Sequence, residues 1–109
     1  MLEEFANPEK NSAETTGPLE ERIVSKNWSI RATAFEDLST AFKKSNTQFD
    51  QLFKDHACMW KKYLADSIPA SLDKCLDALE VFIDKAEPKV VSLYMNDIIR
   101  ILIEKCISH

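Results

Sequence analysis

The stretch "ERIVSKNWSIRATAFEDL", residues 21–38, decides how the chain is read. In its second half Ile30, Ala34 and Leu38 recur at helical spacing and run on into Ala41 and Phe42, which gives one apolar face to a helix from about Ser29 to Lys44. In its first half Ile23 and Val24 join Leu19 in a shorter stripe, opened by Pro18 and ending near Lys26. Between the two runs lies Lys26-Asn27-Trp28, a polar corner carrying a bulky apolar side chain. Asn27 or Ser29 can cap the second helix by accepting a backbone hydrogen bond. Trp28 has two readings. It folds back as a plug over the helix ends, as tryptophans are usually largely buried. Or it is held out for a partner, to which it offers apolar area and an indole N–H.

The remaining pattern repeats this theme. Phe49, Leu52, Phe53, Trp60, Tyr63 and Leu64 mark the inward face of a third helix, Phe49 to Ala65, with Trp60 in mid-stripe as core. Asp66-Ser67 stops it and can cap a fourth helix with Pro69 in its first turn. There Leu72, Cys75, Leu76, Leu79, Phe82 and Ile83 form a stripe opposite Asp73, Lys74, Asp77, Glu80 and Asp84. Pro88 opens a fifth helix whose residues 90–107 are apolar on nearly every side, a pattern that normally means burial all round.

The corners Lys26-Asn27-Trp28 and Asp66-Ser67-Ile68 stand forty residues apart. Paired helices at about this period are the spacing of HEAT or armadillo arrays, in which each repeat needs a neighbour to bury its outer face. The fold expected is all-α, a HEAT-repeat α-solenoid of antiparallel helix pairs, with an ordinary helical bundle as the alternative. The apolar fifth helix favours the array. Residues 18–109 would hold about two and a half repeats, and residues 1–17, acidic and poor in apolar groups, are expected to form a disordered leader.

Composition excludes several classes. Across 109 residues, 45% are hydrophobic and 29% charged, as in globular chains. The single glycine, Gly17, lies outside the helical runs, so neither a phosphate-binding loop nor tight hairpins are expected. A net charge of −4 offers no bulk attraction to nucleic acid or anionic lipid. No run of about eighteen apolar residues predicts a membrane span. The start "MLEEFANPEK" lacks the basic and apolar regions of a signal peptide, so the Asn27-Trp28-Ser29 sequon is expected to stay unmodified in the cytoplasm. Cys58, Cys75 and Cys106 fall on apolar helical positions and read as reduced core thiols. His56 and His109 have no nucleophile or metal-ligand partners at useful spacing, so no catalytic residue, metal or cofactor is expected.

The stretch "PLEERIVSKNWSIRATAFEDL", followed by "KKYLADSIPASLDKCLDALEVFIDKA", resembles the first TOG domain of the microtubule-polymerase family. The resemblance rests on Pro-Leu-Glu-x-Arg, then Lys-x-Trp-x-x-Arg, then Ala-Asp-Ser before a Leu-x-Ala-Leu helix. It implies a HEAT-repeat paddle that binds the αβ-tubulin heterodimer through the turns along one narrow edge. It also implies that Trp28 contacts β-tubulin and that Ser67 and Ile68 contribute from the second turn. Lys26, Asn27 and Arg31 would flank the first turn as polar or basic contacts. The implied role is recruitment of αβ-tubulin for plus-end growth and spindle organisation, in the cytoplasm on microtubules, the spindle, or a centrosome or spindle pole. Further repeats would cover residues 90–107. Three departures stand out: Ser29 replaces an often basic residue, Ile68-Pro69 makes the second turn greasier and stiffer than the usual Asp-Ser-Asn, and the chain is expected to be a truncated fragment of the array that stops inside the third repeat, without the later turns. A HEAT scaffold unrelated to tubulin and a module that self-associates through the fifth helix are the competing expectations.

Overall fold

The computed structural model describes residues 17–108, with side chains to Cys106. The expected leader thus lies outside the described residues except for Gly17, whose carbonyl accepts a hydrogen bond from Arg22 Nε at 2.9 Å. The described chain is all-helical: α1 (Leu19–Arg22), α2 (Trp28–Lys44), α3 (Gln51–Ala57), α4 (Trp60–Tyr63), α5 (Pro69–Lys85) and α6 (Pro88–Ser108). The Cα envelope measures 50 × 37 × 16 Å, a slab about two helices thick at usual interaxial distances of roughly 8–10 Å.

Local chemistry sets most helix ends. Asn27 caps α2 by accepting from the Ser29 N–H, and Asp50 caps α3 by accepting from Leu52. Pro69 occupies the first turn of α5, where its missing N–H costs no helical bond. The expected Asp66-Ser67 cap differs in detail. Ile68 holds the cap position without a side-chain bond of its own, and Asp66 reaches over it to accept from the Ile68 N–H and the Ser71 hydroxyl.

The principal packing joins α2 and α5. They run in the same direction, because side chains cross-link them at both ends and in the middle. Arg31 near the start of α2 meets Asp66 just before α5. Lys74 meets Glu36 at 3.0 Å. Lys85 at the end of α5 donates to the carbonyls of Lys43 and Ser45, satisfying acceptors that a helix end leaves open. Between them the core centres on Phe42, fully buried and in ring contact with Phe53, His56, Trp60 and Phe82. Ala34 and Ala78, both wholly buried, let the neighbouring elements approach closely. The Trp60 indole N–H and the Ser39 hydroxyl are buried without a hydrogen-bond partner among the described residues.

Several expectations need correction. The third helix is broken at Cys58-Met59 into α3 and α4, with no proline or glycine to mark the break. The break turns His56, Trp60 and Tyr63 into one cluster, where His56 Nδ1 lies 2.8 Å from the Tyr63 hydroxyl. Phe49 precedes α3 in a turn and is 56% exposed rather than inward. Ile83 is also exposed, in a groove it shares with Leu102 of α6. Of the thiols only Cys75 is core; Cys58 and Cys106 are exposed. On α6, Val91 and Ile98 are buried while Leu93, Ile99 and Ile103 face outward.

Truncating the hub by Phe42→Ala should destabilise the fold by about 3–5 kcal/mol, whereas Phe49→Ala should change stability by less than about 0.5 kcal/mol; urea unfolding distinguishes them. Burial holds the His56 imidazole below its ordinary 6.5, against the opposing pull of Glu20 and Asp55. The unfolded chain therefore binds the His56 proton first. Stability is full above 6.5 and declines as pH falls from 6.5 through the lowered folded value. Unfolding free energies measured between neutral and mildly acid pH should show this slope, and His56→Gln should flatten it.

Candidate functional site

Both corners lie where the α1–α2 and α4–α5 connections turn. At the first, the chain folds back through Ser25 N–H to Arg22 O at 3.1 Å and Asn27 N–H to the Ser25 hydroxyl at 3.1 Å. The Asn27 side-chain oxygen accepts from both the Ser29 N–H at 2.9 Å and the Ser29 hydroxyl at 2.7 Å. Its carbonyl accepts from the Ile30 and Arg31 N–H groups. Trp28 is thus the first residue of a capped helix, on backbone held from both sides, and it remains 47% exposed. It is not a plug. Ile23 takes the buried position beneath the corner, at 3% exposure.

The second corner is organised by Asp66. One carboxylate oxygen accepts from the Ile68 N–H at 3.0 Å and the other from the Ser71 hydroxyl at 2.6 Å. The Lys105 ammonium on α6 donates to the Asp66 carbonyl at 3.2 Å. Ser67 is exposed and Ile68 half-buried.

Arg31 joins the two corners. Its Nε and Nη2 donate to the two Asp66 carboxylate oxygens at 2.8 and 3.0 Å, while Nη1 donates to the Ser25 carbonyl at 2.9 Å. The planar guanidinium suits this forked contact in a way a lysine ammonium would not. The Asp66 side chain is only 3% exposed and that of Arg31 19%. Burial by itself would raise the Asp66 carboxyl, but hydrogen bonds from Arg31, Ser71 and the Ile68 N–H, with the Arg31 charge, hold it below the ordinary 3.8. Its hydrogen bond to Asp66 raises the Arg31 guanidinium, against a smaller opposing effect of burial.

The structure therefore brings the residues singled out in sequence onto one edge, in different states. Trp28, Lys26, Asn27 and Ser67 are exposed, although the Asn27 side-chain oxygen is occupied by the cap. Arg31 has its guanidinium engaged internally and sits as a cross-brace. Sequence reasoning did not single out Asp66 as its partner, nor Lys61 and Lys62 beside the second corner. Only the forty-residue repeat could have aligned Arg31 with Asp66, because nothing local relates them. A hollow of about 230 Å³ lies between the corners, lined by Ser25, Arg31, Lys62 and Asp66 among others. Among the described residues no group of His, Cys, Asp or Glu side chains could hold a metal ion, and no helix is long and apolar enough to cross a membrane.

Removing the brace by Arg31→Ala strands the Asp66 carboxylate in a buried site and should cost about 3 kcal/mol of stability, with Arg31→Lys recovering only part. Denaturant unfolding of the variants checks this. Because the folded Asp66 value is depressed, its contribution should be present above pH 3.8 and vanish as pH falls through the folded value.

Comparison with known proteins places this geometry in context. The family description "XMAP215/Dis1/CLASP, TOG domain" matches residues 14–109. Centrosomal protein 224 of Dictyostelium discoideum is 34% identical over 90 residues, 83% of this chain and 4% of its own. Protein MOR1 of Arabidopsis thaliana is 30% identical over 84% of the chain and 5% of its own length. The spindle pole body component alp14 of Schizosaccharomyces pombe is 29% identical over 84% of the chain and 12% of its own. The chain thus spans a small part of each relative. No solved structure matches.

Proposed function

The chain belongs to the TOG-domain family of XMAP215, Dis1 and CLASP, and from that premise we propose that its corner edge binds the unpolymerised αβ-tubulin heterodimer. The observation that carries this reading is Trp28, half exposed at a corner whose backbone is capped by Asn27 and braced through Arg31 to the next corner. A rigidly mounted tryptophan offers large apolar area at little conformational cost, the usual character of an interface anchor. Lys26, Asn27, Ser67 and Ile68 extend the contact on either side, and Arg31 acts chiefly by holding the corners in register.

Recruitment of tubulin would serve plus-end growth and spindle organisation, on microtubules and at centrosomes or spindle poles. Relatives named for the centrosome, the spindle pole body and spindles support that setting. The mechanism is selection between conformations. An edge that prefers the curved free dimer captures it and releases it when incorporation straightens it, which requires only differential affinity for the two shapes. No bond chemistry is needed.

The outward Leu93, Ile99 and Ile103 of α6 favour cover by further repeats of a longer array. Self-association through the same face is the competing use, and solution mass measured against concentration separates the two.

The direct test is co-elution of the chain with unpolymerised αβ-tubulin, beside Trp28→Ala. The alanine variant should lose about 2–4 kcal/mol of binding free energy while keeping its helicity. Equal binding by both chains would remove Trp28 from the interface. Absence of binding by the wild-type chain and by a longer one containing the following repeats would sink the tubulin reading.

A further inference from the structure

We infer that Lys105, in the last turn of α6, is a positioning residue for the corner edge: it completes a line of side-chain hydrogen bonds that holds the two corners and α6 in one register. This rests on the edge's proposed role as a docking surface, and it extends the preorganisation of that surface onto α6.

The line begins at the first corner. Arg31 Nη1 donates to the Ser25 carbonyl there at 2.9 Å, while Nε and Nη2 donate to the Asp66 carboxylate of the second corner at 2.8 and 3.0 Å. The Lys105 ammonium then donates to the Asp66 carbonyl at 3.2 Å, across thirty-nine residues of sequence. Lys105 therefore stands one period beyond Asp66, much as Asp66 stands forty residues beyond Lys26.

Asp66 is the junction. Its N–H donates to the Tyr63 carbonyl at 3.3 Å, its carboxylate accepts from Arg31, Ser71 and the Ile68 N–H, and its carbonyl takes Lys105. That carbonyl shares a planar peptide with the Ser67 nitrogen, so the donor that fixes it also fixes how exposed Ser67 and half-buried Ile68 are presented. Without Lys105 the Asp66–Ser67 peptide is freer to turn, and the carboxylate against which Arg31 is set loosens with it. A lysine near a helix C-terminus has a simpler use, since its charge suits that end of the dipole. Lys105 goes further: it is half-buried, and it spends a charge-assisted, part-buried hydrogen bond on the neighbouring corner. The buried Cys75 thiol of α5 is pushed up chiefly by burial; Asp66 adds to the rise and Lys105 opposes it, so both charges lie within reach of one core group.

The test uses the whole chain, 15N-labelled, with Lys105→Met, which keeps the apolar stem and removes the donor. Amide peaks of residues 66–68 should move, and so should those of residues 25–28 and the Trp28 indole N–H, reached through Arg31. Lys105→Arg should restore both sets. In an Arg31→Met background residues 25–28 should no longer respond to Lys105→Met, because the link between the corners is already gone. If that background does not fold, Arg31→Lys, which keeps the charge without the fork, replaces it. Affinity for unpolymerised αβ-tubulin should fall about fivefold with Lys105→Met, since the corner must then be ordered on docking, and return with Lys105→Arg. Shift changes confined to residues 66–68 and α6, an undiminished response of residues 25–28 in the Arg31 background, or failure of Lys105→Arg to restore the peaks would each overturn the inference. So would equal tubulin affinity of the wild-type and Lys105→Met chains. The shift changes need no partner and decide the inference on their own, whereas absence of tubulin binding by the wild-type chain counts against the docking reading alone.

Discussion

The forked contact between Arg31 and Asp66 is the constraint on which the rest of the edge depends. It crosses thirty-five residues of sequence and ties the start of α2 to the corner that opens α5. Each partner does more than neutralise the other. Arg31 also holds the Ser25 carbonyl of the first corner, and Asp66 also organises Ile68 and Ser71 of the second. A pair this poorly exposed is not a large net source of stability, since desolvation offsets much of its attraction. Its value is registry. Without it the two corners would be joined only through apolar packing, which is nondirectional and tolerates small slips.

The aromatic cluster supplies the complementary part. Phe42 is the common neighbour of rings from α3, α4 and α5, so elements that are individually short are fixed against the long parallel helices. Helices such as α1 and α4, of four residues each, have no independent stability and persist because tertiary packing holds them. The edge is therefore a product of the core behind it. Preorganisation of this kind matters for binding, because a corner already ordered loses little entropy when a partner docks.

Charge distribution adds a further layer. Charge is mixed over the surface: Lys26, Lys61 and Lys62 stand exposed about the corners, and the groove between α2 and α5 sets Lys43, Lys74 and Lys85 beside Glu36, Asp77, Glu80 and Asp84. The exposed apolar side chains are more clearly sorted. Trp28 stands at the corner, whereas Leu93, Ile99 and Ile103 lie along α6. The first fits a small anchored contact and the second a continuous packing face.

How much of this was legible in the chain follows from the range of each interaction. The helical class, the capped start of α2, the first-turn proline of α5, the forty-residue spacing of the corners and the buried Trp60 were readable, because each depends on residues within a few positions or on a repeated period. The motif around Trp28 also carried the family resemblance. Periodicity names an apolar face, however, without saying which parts of it find cover. Hence Phe49 and Ile83, in register with their stripes, proved exposed, as did Cys58 and Cys106, while the break at Cys58-Met59 had no local mark. The fate of Arg31 was likewise undecidable from its neighbours. Whether a cation is offered to a partner or spent inside the fold depends on what lies across the next repeat, and only tertiary packing brings a carboxylate thirty-five residues away to within 2.8 Å.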